Sequence, residues 1–290
     1  MVVSGNITSQ AANEFNWHGW ALIAISLALV LFPLADAHPG QVLDRIKSKG
    51  VMVVATDPVW PPFSWRNASG RFEGFDIEIA EEIARRIEVS IEYATPDWTE
   101  ITAGEWRGNW DISVGSMTPT AERAKHLDFP IVYYSSPVSV AIHRNNTEIK
   151  LPADLSGKRI GILGDTTYEL YLRRQPMDVI GMLPYTDKID NPVIVTYTQE
   201  DKVFDDLSRG DGVVLDAMLN YLPVLLYEIG RGRPLKIVGA PLFLVPNAIA
   251  IEPGDPELSM LIKKIVTAMR DDGTLKAISM KWFNFDMTQP

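Results

Sequence analysis

Cysteine is absent from this chain of 290 residues, and histidine occurs only four times. Without cysteine there is no disulfide, no thiolate metal site, no nucleophilic thiol and no acylated cysteine to anchor the chain in a membrane. The histidines, at positions 18, 38, 126 and 143, are far apart and lack the i, i+4 spacing of a metal-binding helix. We therefore expect neither a metal site nor a cofactor.

Basic residues are fewer than acidic residues. The 27 Lys and Arg residues face 37 Asp and Glu residues, which gives a formal net charge of −10, and no basic run could neutralise a string of phosphates. This balance argues against a nucleic-acid partner. With 46% apolar residues, the chain can build one large domain or two of ordinary size.

No apolar run reaches the about 20 residues that span a bilayer as a helix. The longest, over 21–34 (ALIAISLALVLFPL), is followed by Ala35, Asp36 and Ala37, a small-x-small site. This layout predicts that residues 1–37 are an export signal cleaved before His38. Because no Lys or Arg precedes the run, an uncleaved anchor and a misassigned start codon stay open as alternatives.

Predicted helices and strands alternate from residue 41 onward. A helix over 41–49 precedes a buried strand over 51–57, and prolines then place Trp60 on a loop. Asp76 is predicted to cap a helix that ends at residue 87, with isoleucines spaced four residues apart along one face. This alternation predicts an α/β fold with a largely parallel sheet.

Two stretches run extended for longer than a single strand needs, one over 128–143 and a proline-containing one over 241–246. We interpret them as crossings between two lobes, so that the last segment rejoins the first lobe. The predicted division is 38–132 for the first part of lobe 1, 138–241 for lobe 2 and 247–290 for the second part of lobe 1, with hinges at about 133–137 and 242–246.

Six motifs recur in the order and spacing of a known family. They are VVATDPVWPPF at 53–63, GFDIE at 74–78, TPTAER at 118–123, GILGDTT at 161–167, DGVVLD at 211–216 and GTLKAISMKWF at 273–283. In these motifs the chain resembles the periplasmic polar amino-acid-binding proteins of ABC importers, such as the glutamine-binding and lysine/arginine/ornithine-binding proteins. The resemblance implies a two-lobe periplasmic-binding-protein fold of type II.

The segment over 115–123 is predicted to follow a strand and open a helix. Arg123 suits a ligand carboxylate because its guanidinium donates two parallel hydrogen bonds. The resemblance implies that Thr118 adds a backbone N–H and a hydroxyl, and that Ser116 offers its carbonyl to the ligand amine. The alternative is that Thr120 caps the helix and Arg123 is a solvated residue of its first turn.

The resemblance also implies which residues of lobe 2 bind the ligand. Asp216, at the end of a predicted strand over 212–215, lies five residues after Asp211, the spacing at which relatives place the acid that binds the amine. Alternatively, Asp216 only caps a predicted helix over 217–227. Thr166 and Thr167, at a helix start that favours anions, are expected to contact the carboxylate. Asp165 departs from the glycine common in relatives, and its role stays open.

The side chain of the ligand is expected to lie between aromatic faces. The resemblance implies that Trp60 and Trp98 sandwich it, that Asp57 meets its distal polar group, and that Leu163 matches the cationic binders better than the glutamine binder. Packing at a helix start is the alternative for Trp98. These residues favour a cationic ligand such as arginine, lysine or ornithine.

The sequence therefore predicts a non-enzymatic, monomeric, periplasmic substrate-binding component of an ABC amino-acid importer. Its expected partners are a small amino acid and a membrane permease. Two alternatives stay open, because the same fold also serves other functions. One is a ligand-sensing accessory anchored by residues 1–37. The other is a cyclohexadienyl-dehydratase-like enzyme with Glu169 or Asp165 as its general acid.

Overall fold

A computed structural model describes residues 41–289 of the chain. The predicted export signal, its cleavage position and the alternative anchor lie outside the described residues. Among residues 41–289, no helix combines the length and the apolar composition needed to cross a membrane.

Helices and strands alternate through most of this region. The helices are α1 (Gln41–Lys49), α2 (Phe75–Ile87), α3 (Trp98–Ala103), α4 (Thr167–Leu172), α5 (Glu200–Ser208), α6 (Leu222–Gly230), α7 (Pro256–Asp271) and α8 (Thr274–Phe283). The strands are β1 (Val51–Ala55), β2 (Val59–Trp60), β3 (Ser64–Arg66), β4 (Phe72–Glu73), β5 (Ser90–Ala94), β6 (Ile112–Met117), β7 (Asp128–His143), β8 (Arg159–Leu163), β9 (Val193–Tyr197), β10 (Ala217–Tyr221) and β11 (Leu235–Ile251).

The main sheet of the described region has the strand order β5-β1-β6-β11-β7-β10-β8-β9. Strand β1 runs parallel to β5 and β6, and β8 runs parallel to β9 and β10. The two long central strands, β7 and β11, are antiparallel to each other and pair along most of their length. The predicted α/β class is confirmed.

The two parallel triplets lie on opposite sides of the central pair. We call the side with β5, β1 and β6 lobe 1 and the side with β10, β8 and β9 lobe 2. The predicted hinges at 133–137 and 242–246 fall inside β7 and β11, and the register of that pair shifts between Val238 and Phe243. The lobe boundaries stay a prediction.

Helix α2 shows how periodicity builds the core. Ile79 and Ile83 are fully buried, as their four-residue spacing predicts, and Arg85 lies on the solvent side in an ion pair with Glu82. The predicted cap is wrong, however. Gly74 occupies the N-cap position with φ 137°, and Asp76 lies inside the first turn, where it is fully buried.

The predicted strand over 212–215 is wrong as well. Gly210 and Gly212 adopt positive φ values of 146° and 62°, so this stretch turns, and the strand is β10, which begins at Ala217. Helix α6 then starts one residue before Pro223. Proline is favoured in the first turn of a helix, so Pro223 was a sequence signal for the later start.

Candidate functional site

Most of the predicted ligand-binding residues lie at or just after the carboxyl ends of parallel strands. Trp60 lies in the antiparallel strand β2 and not on a loop as predicted, and Asp216 precedes β10. Asp57 follows β1, Trp98 follows β5, Thr118 follows β6 and Leu163 ends β8. In open α/β sheets, ligands bind in the crevice outside these strand ends. The fold therefore gathers residues that are far apart in sequence along one edge of the sheet.

Arg123 lies at this edge without an acidic partner. Its Nη1 donates a hydrogen bond to the Thr118 carbonyl over 2.9 Å, and its Cζ is 5.2 Å from the centre of the Trp98 ring. Burial lowers the pKa of Arg123, and within residues 41–289 no carboxylate forms an ion pair with it. Arg123 is partly buried, and an unpaired guanidinium withdrawn from water is costly unless an anion meets it. The expected helix is a short 3-10 turn that begins at Arg123, and Thr120 accepts a hydrogen bond from the Arg123 N–H.

A buried hydrogen-bond network lies beneath Ser116. Asp76 accepts hydrogen bonds of 2.7 Å from the Tyr133 hydroxyl and from Ser116 Oγ, and Tyr134 donates to the same Ser116 oxygen. Burial raises the pKa of Asp76 to about 7, against the lowering effect of these hydrogen bonds. The Ser116 side chain is therefore engaged inside lobe 1, and its N–H donates to the Tyr133 hydroxyl over 3.0 Å, so the predicted contact with the ligand falls to its backbone carbonyl.

Aromatic rings join the two lobes. Trp60 stacks on Phe63 with 4.7 Å between ring centres, and the Tyr221 ring from lobe 2 lies 6.1 Å from Trp60. Tyr168 lies 6.3 Å from Tyr221 in an edge-on arrangement. These rings form an apolar wall at the carboxyl ends of β8 and β10, which can pack against an aliphatic stem or a cation.

Two partly buried acids lie near this edge, one in each lobe. Asp57 follows β1 in lobe 1, and Glu200 is the first residue of α5 in lobe 2. Asn220 Nδ2 donates a hydrogen bond of 2.7 Å to Glu200 Oε1. The pKa of Glu200 is raised to about 7, mainly by burial. The hydrogen bond from Asn220 lowers this pKa, and the negative charges of three acids add to the rise, namely Asp201, Glu228 and Asp57. Burial also raises the pKa of Asp57.

The segment that opens α4 is held by its own hydrogen bonds. Thr166 Oγ1 donates to the Leu163 carbonyl over 2.8 Å and accepts from the Glu169 N–H over 3.3 Å, so it caps the helix. Thr167 is buried. Asp165 is exposed and has φ 59°, a conformation that glycine adopts without cost. This backbone requirement accounts for the glycine expected at this position in relatives.

Asp216 is an exception, and the structure gives it a different role. It precedes β10, at the amino end of a strand whose carboxyl end faces the site. Its Oδ2 accepts a 2.7 Å hydrogen bond from the Arg159 N–H, and both carboxylate oxygens are 3.2 Å from the Arg159 guanidinium. We correct the expected amine-binding role accordingly: Asp216 ties β10 to β8 at the far edge of the sheet.

A loop of lobe 2 crosses to lobe 1 beside Arg123. The Ala121 N–H donates to the Asp178 carbonyl, and the Ile180 N–H donates to the Pro119 carbonyl, each over 2.8 Å. Thr120 and Val179 form the β-bridge between these bonds. We call residues 178–180 the strap. It connects the two lobes directly over the segment that carries Arg123.

Sequence reasoning missed four residues of this edge, namely Tyr168, Glu200, Asn220 and Tyr221. Glu200 received no predicted role, and Asn220 and Tyr221 were assigned to the interior of the predicted helix over 217–227. Placing the strand at 217–221 would have brought Asn220 and Tyr221 to the carboxyl edge. The available signal was Pro223, which marks the start of the helix after that strand.

Comparisons with known proteins give the family. Residues 52–285 match the profile of the bacterial extracellular solute-binding proteins, family 3. The L-cystine-binding protein TcyJ of Escherichia coli K12 is 26% identical over 92% of this chain and 95% of its own length. The histidine-binding periplasmic protein of Salmonella typhimurium is 27% identical over 91% of this chain and 98% of its own.

A solved structure agrees with these matches. An ancestral arginine-binding protein bound to arginine superposes with a TM-score of 0.65 at 28% identity, covering 81% of this chain and 98% of that protein. The expected two-lobe architecture of type II is thereby confirmed. The chain belongs to family 3 of the bacterial extracellular solute-binding proteins.

Proposed function

We propose that this protein is the periplasmic substrate-binding component of an ABC importer for a polar α-amino acid, and that it acts without catalysis. The relatives named above bind cystine, histidine and arginine, which all carry an α-carboxylate and an α-ammonium. The ligand binds between the lobes, and a membrane permease recognises the closed form. Closure follows because the ligand has higher affinity for the state in which both lobes contact it.

The observation that supports this proposal best is Arg123. Its guanidinium is held by the Thr118 carbonyl and the Trp98 ring but has no carboxylate partner in the described part of the chain. A planar carboxylate would accept two parallel hydrogen bonds from it. Arg123 therefore receives the α-carboxylate, and the rings of Trp60 and Tyr221 line the space for the rest of the ligand.

Isothermal titration calorimetry of the purified protein with the twenty common amino acids, ornithine and cystine tests this function. At least one should bind, and Arg123→Gln should weaken binding at least about 100-fold, in line with the cost of leaving a buried charge unpaired. Arg123→Lys should also bind poorly because an ammonium lacks the fork geometry. Arg107→Gln is the matched control, because the Arg107 side chain is 80% exposed. Unchanged affinity in Arg123→Gln would contradict the assignment.

One observation favours an enzymatic alternative. Burial raises the pKa of Glu200 to about 7, a value suited to a general acid. The candidates expected from sequence fit less well. Glu169 is paired with Arg173, which keeps its pKa low despite burial, and Asp165 is exposed. Incubation with prephenate or arogenate and a search for aromatic product tests this alternative. If the wild type forms aromatic product and Glu200→Gln does not, the protein is an enzyme and the proposed receptor function is wrong.

A further inference from the structure

We propose that Asp76 is a positioning residue of the ligand site, which holds Ser116 in place when it is ionised, so that ligand binding is coupled to the loss of its proton. This inference rests on the proposed function and adds a proton to it. Asp76 lies in the first turn of α2 and is fully buried. It acts on the site through Ser116 and Tyr133.

A short path of contacts joins Asp76 to Arg123. Asp76 accepts a 2.7 Å hydrogen bond from Ser116 Oγ near the end of β6. Two residues later, the Thr118 carbonyl accepts a hydrogen bond from Arg123 Nη1 over 2.9 Å. Ser116 and Thr118 are both 6% exposed. A change of backbone direction at Ser116 therefore moves the carbonyl that holds Arg123.

Ser116 has a backbone conformation that its neighbours must hold. Its φ is 52°, in the left-handed region that residues with a Cβ rarely adopt. The Ser116 N–H donates to the Tyr133 hydroxyl over 3.0 Å, and that hydroxyl donates to Asp76 over 2.7 Å. Tyr134 donates to Ser116 Oγ over 2.5 Å. Asp76 is therefore the final acceptor of two arms, one from the Ser116 side chain and one from its N–H.

The direction of these hydrogen bonds fits an ionised Asp76. Each carboxylate oxygen accepts one hydroxyl hydrogen, and within residues 41–289 the Asp76 side chain makes no further hydrogen bond. A proton on either oxygen would have to lie where Ser116 or Tyr133 already places a hydrogen. Protonation therefore makes one hydroxyl turn away or leaves the new hydrogen without an acceptor, and one arm is loosened.

Asp76 is the member of this network that changes charge near neutral pH. Burial raises its pKa to about 7, against the lowering effect of its two hydrogen bonds. Burial also raises the pKa of Tyr133 and Tyr134 well above the ordinary value, so both hydroxyls keep their hydrogen. From lobe 2, Tyr221 faces the network, and its pKa is raised by burial and further by the charge of Asp76.

Other charged or titratable side chains reach α2 at different residues. These are Lys281 of α8 at Glu78, Asp272 after α7 at Arg86, and Tyr93 of β5 at the Ile77 carbonyl. In the part of the chain that the structure describes, no cation forms an ion pair with Asp76. Its negative charge is therefore stabilised by the hydroxyls of Ser116 and Tyr133.

Ligand binding and ionisation of Asp76 should favour each other. The ionised form holds Ser116 by both arms, so it presents the Thr118 carbonyl and Arg123 in one arrangement. If this form alone binds, the apparent affinity follows the ionised fraction, which falls about 10-fold between pH 8 and pH 6 for a pKa of about 7. By the same linkage, binding at pH 6 releases close to one proton.

The experiment is calorimetry at pH 6, 7 and 8 with L-arginine, L-glutamine and L-ornithine, whose charges change little in this range. For the wild type we expect affinity about 10-fold higher at pH 8 than at pH 6. Asp76→Asn should bind weakly, with less than about a twofold change over this range. Titrations in two buffers of different ionisation enthalpy count the protons, and Asp76→Asn should release none.

His126→Gln is the matched control. His126 is exposed and lies three residues after Arg123, and histidine changes charge in the same pH range. This variant should keep the wild-type pH profile and proton release. Partial unfolding cannot imitate the result, because a carboxyl with a raised pKa makes stability fall as pH rises. An equal pH profile in the wild type and Asp76→Asn overturns the inference.

A second variant covers the case that Asp76→Asn fails to fold. Tyr133→Phe removes a hydrogen bond that lowers the pKa of Asp76, so the pH midpoint of the affinity should move upward. Tyr134→Phe removes a hydroxyl that donates to Ser116 and not to Asp76, so its midpoint should move less. A midpoint that Tyr133→Phe leaves unchanged would contradict the coupling.

Hydrogen exchange measured by NMR tests the positioning without a ligand. Corrected for intrinsic rates and compared with Val114 of the same strand, the Ser116 amide should be at least about threefold less protected at pH 6 than at pH 8. Asp76→Asn should show no such change, and equal protection in the wild type would overturn the positioning role. If no amino acid binds but exchange changes as expected, the proposed function is wrong and the positioning role stands. If an amino acid binds through Arg123 with equal affinity at pH 6 and pH 8, the reverse holds.

Discussion

Asp216 and Arg159 are bound to each other through both carboxylate oxygens, the guanidinium and the Arg159 N–H. The Asp216 N–H also donates to the Arg159 carbonyl over 2.9 Å, so the pair continues the ladder between β10 and β8. Arg159 lowers the pKa of Asp216, which burial alone would raise. This acid is fully used in holding two strands of lobe 2 together.

Asp216→Asn should therefore reduce stability and leave ligand affinity within about twofold. Because the Arg159 side chain is 39% exposed, we expect a loss of about 1 kcal/mol in the free energy of unfolding. Urea unfolding of Asp216→Asn, Arg159→Met and the double variant measures the coupling. If Asp216→Asn greatly weakens ligand binding without changing the free energy of unfolding, Asp216 contacts the ligand after all.

Asp76 should make stability depend on pH. Its pKa is raised from 3.8 to about 7 in the folded chain, so between these values the folded state holds a proton that the unfolded state has released. Stability is thus fully present below about pH 4 and falls as pH rises toward about 7, by up to about 4 kcal/mol.

The matched variant is Asp76→Asn, which resembles the protonated carboxyl and cannot titrate. We expect its free energy of unfolding to change less between pH 5 and 8 than that of the wild type, measured by denaturant titration. Glu200 has a raised pKa of about 7 and contributes a slope of the same sign, so Glu200→Gln serves as the comparison. If the wild type and Asp76→Asn show the same slope, Asp76 does not titrate as described.

The strap should favour the closed form. Ile180→Pro removes the N–H that binds the Pro119 carbonyl, whereas Ile180→Ala keeps it, and the Ile180 side chain is 51% exposed. We expect Ile180→Pro to weaken ligand affinity about fivefold, from about 1 kcal/mol for one hydrogen bond, and Ile180→Ala to change it little. Small-angle X-ray scattering of the unliganded protein should show a larger radius of gyration for the proline variant alone.

Local patterns predicted much of the fold. The bounds of α1 and the end of α2 at Ile87 agree with those expected from sequence, because breakers and apolar periodicity act within a few residues. The stretch over 212–215 was misassigned because its two valines have high strand propensity. Which of two adjacent apolar stretches becomes a strand depends on pairing, and β10 pairs with both β7 and β8.

The candidate site, like the fold, was predicted in part from sequence and decided in part by packing. Arg123, Thr118, Trp60 and Asp57 lie in motifs that sequence alone identifies, and the structure places them at one edge of the sheet. Ser116 was recognised too, but its side chain turns into the core toward Asp76, a contact between residues on different elements. A motif shows which residues are available, and packing decides where each side chain points.

The sequence by itself determined the family, the α/β alternation and a carboxylate-binding arginine as the central candidate, because these follow from local pattern and motif order. Only the tertiary structure decided that Asp216 faces Arg159 at the far edge and that Asn220 donates a hydrogen bond to Glu200. The physical reason is that strand direction sets which end of β10 faces the cleft. The contact between Asn220 and Glu200 joins residues of two different elements and depends on how those elements pack, which no local pattern encodes.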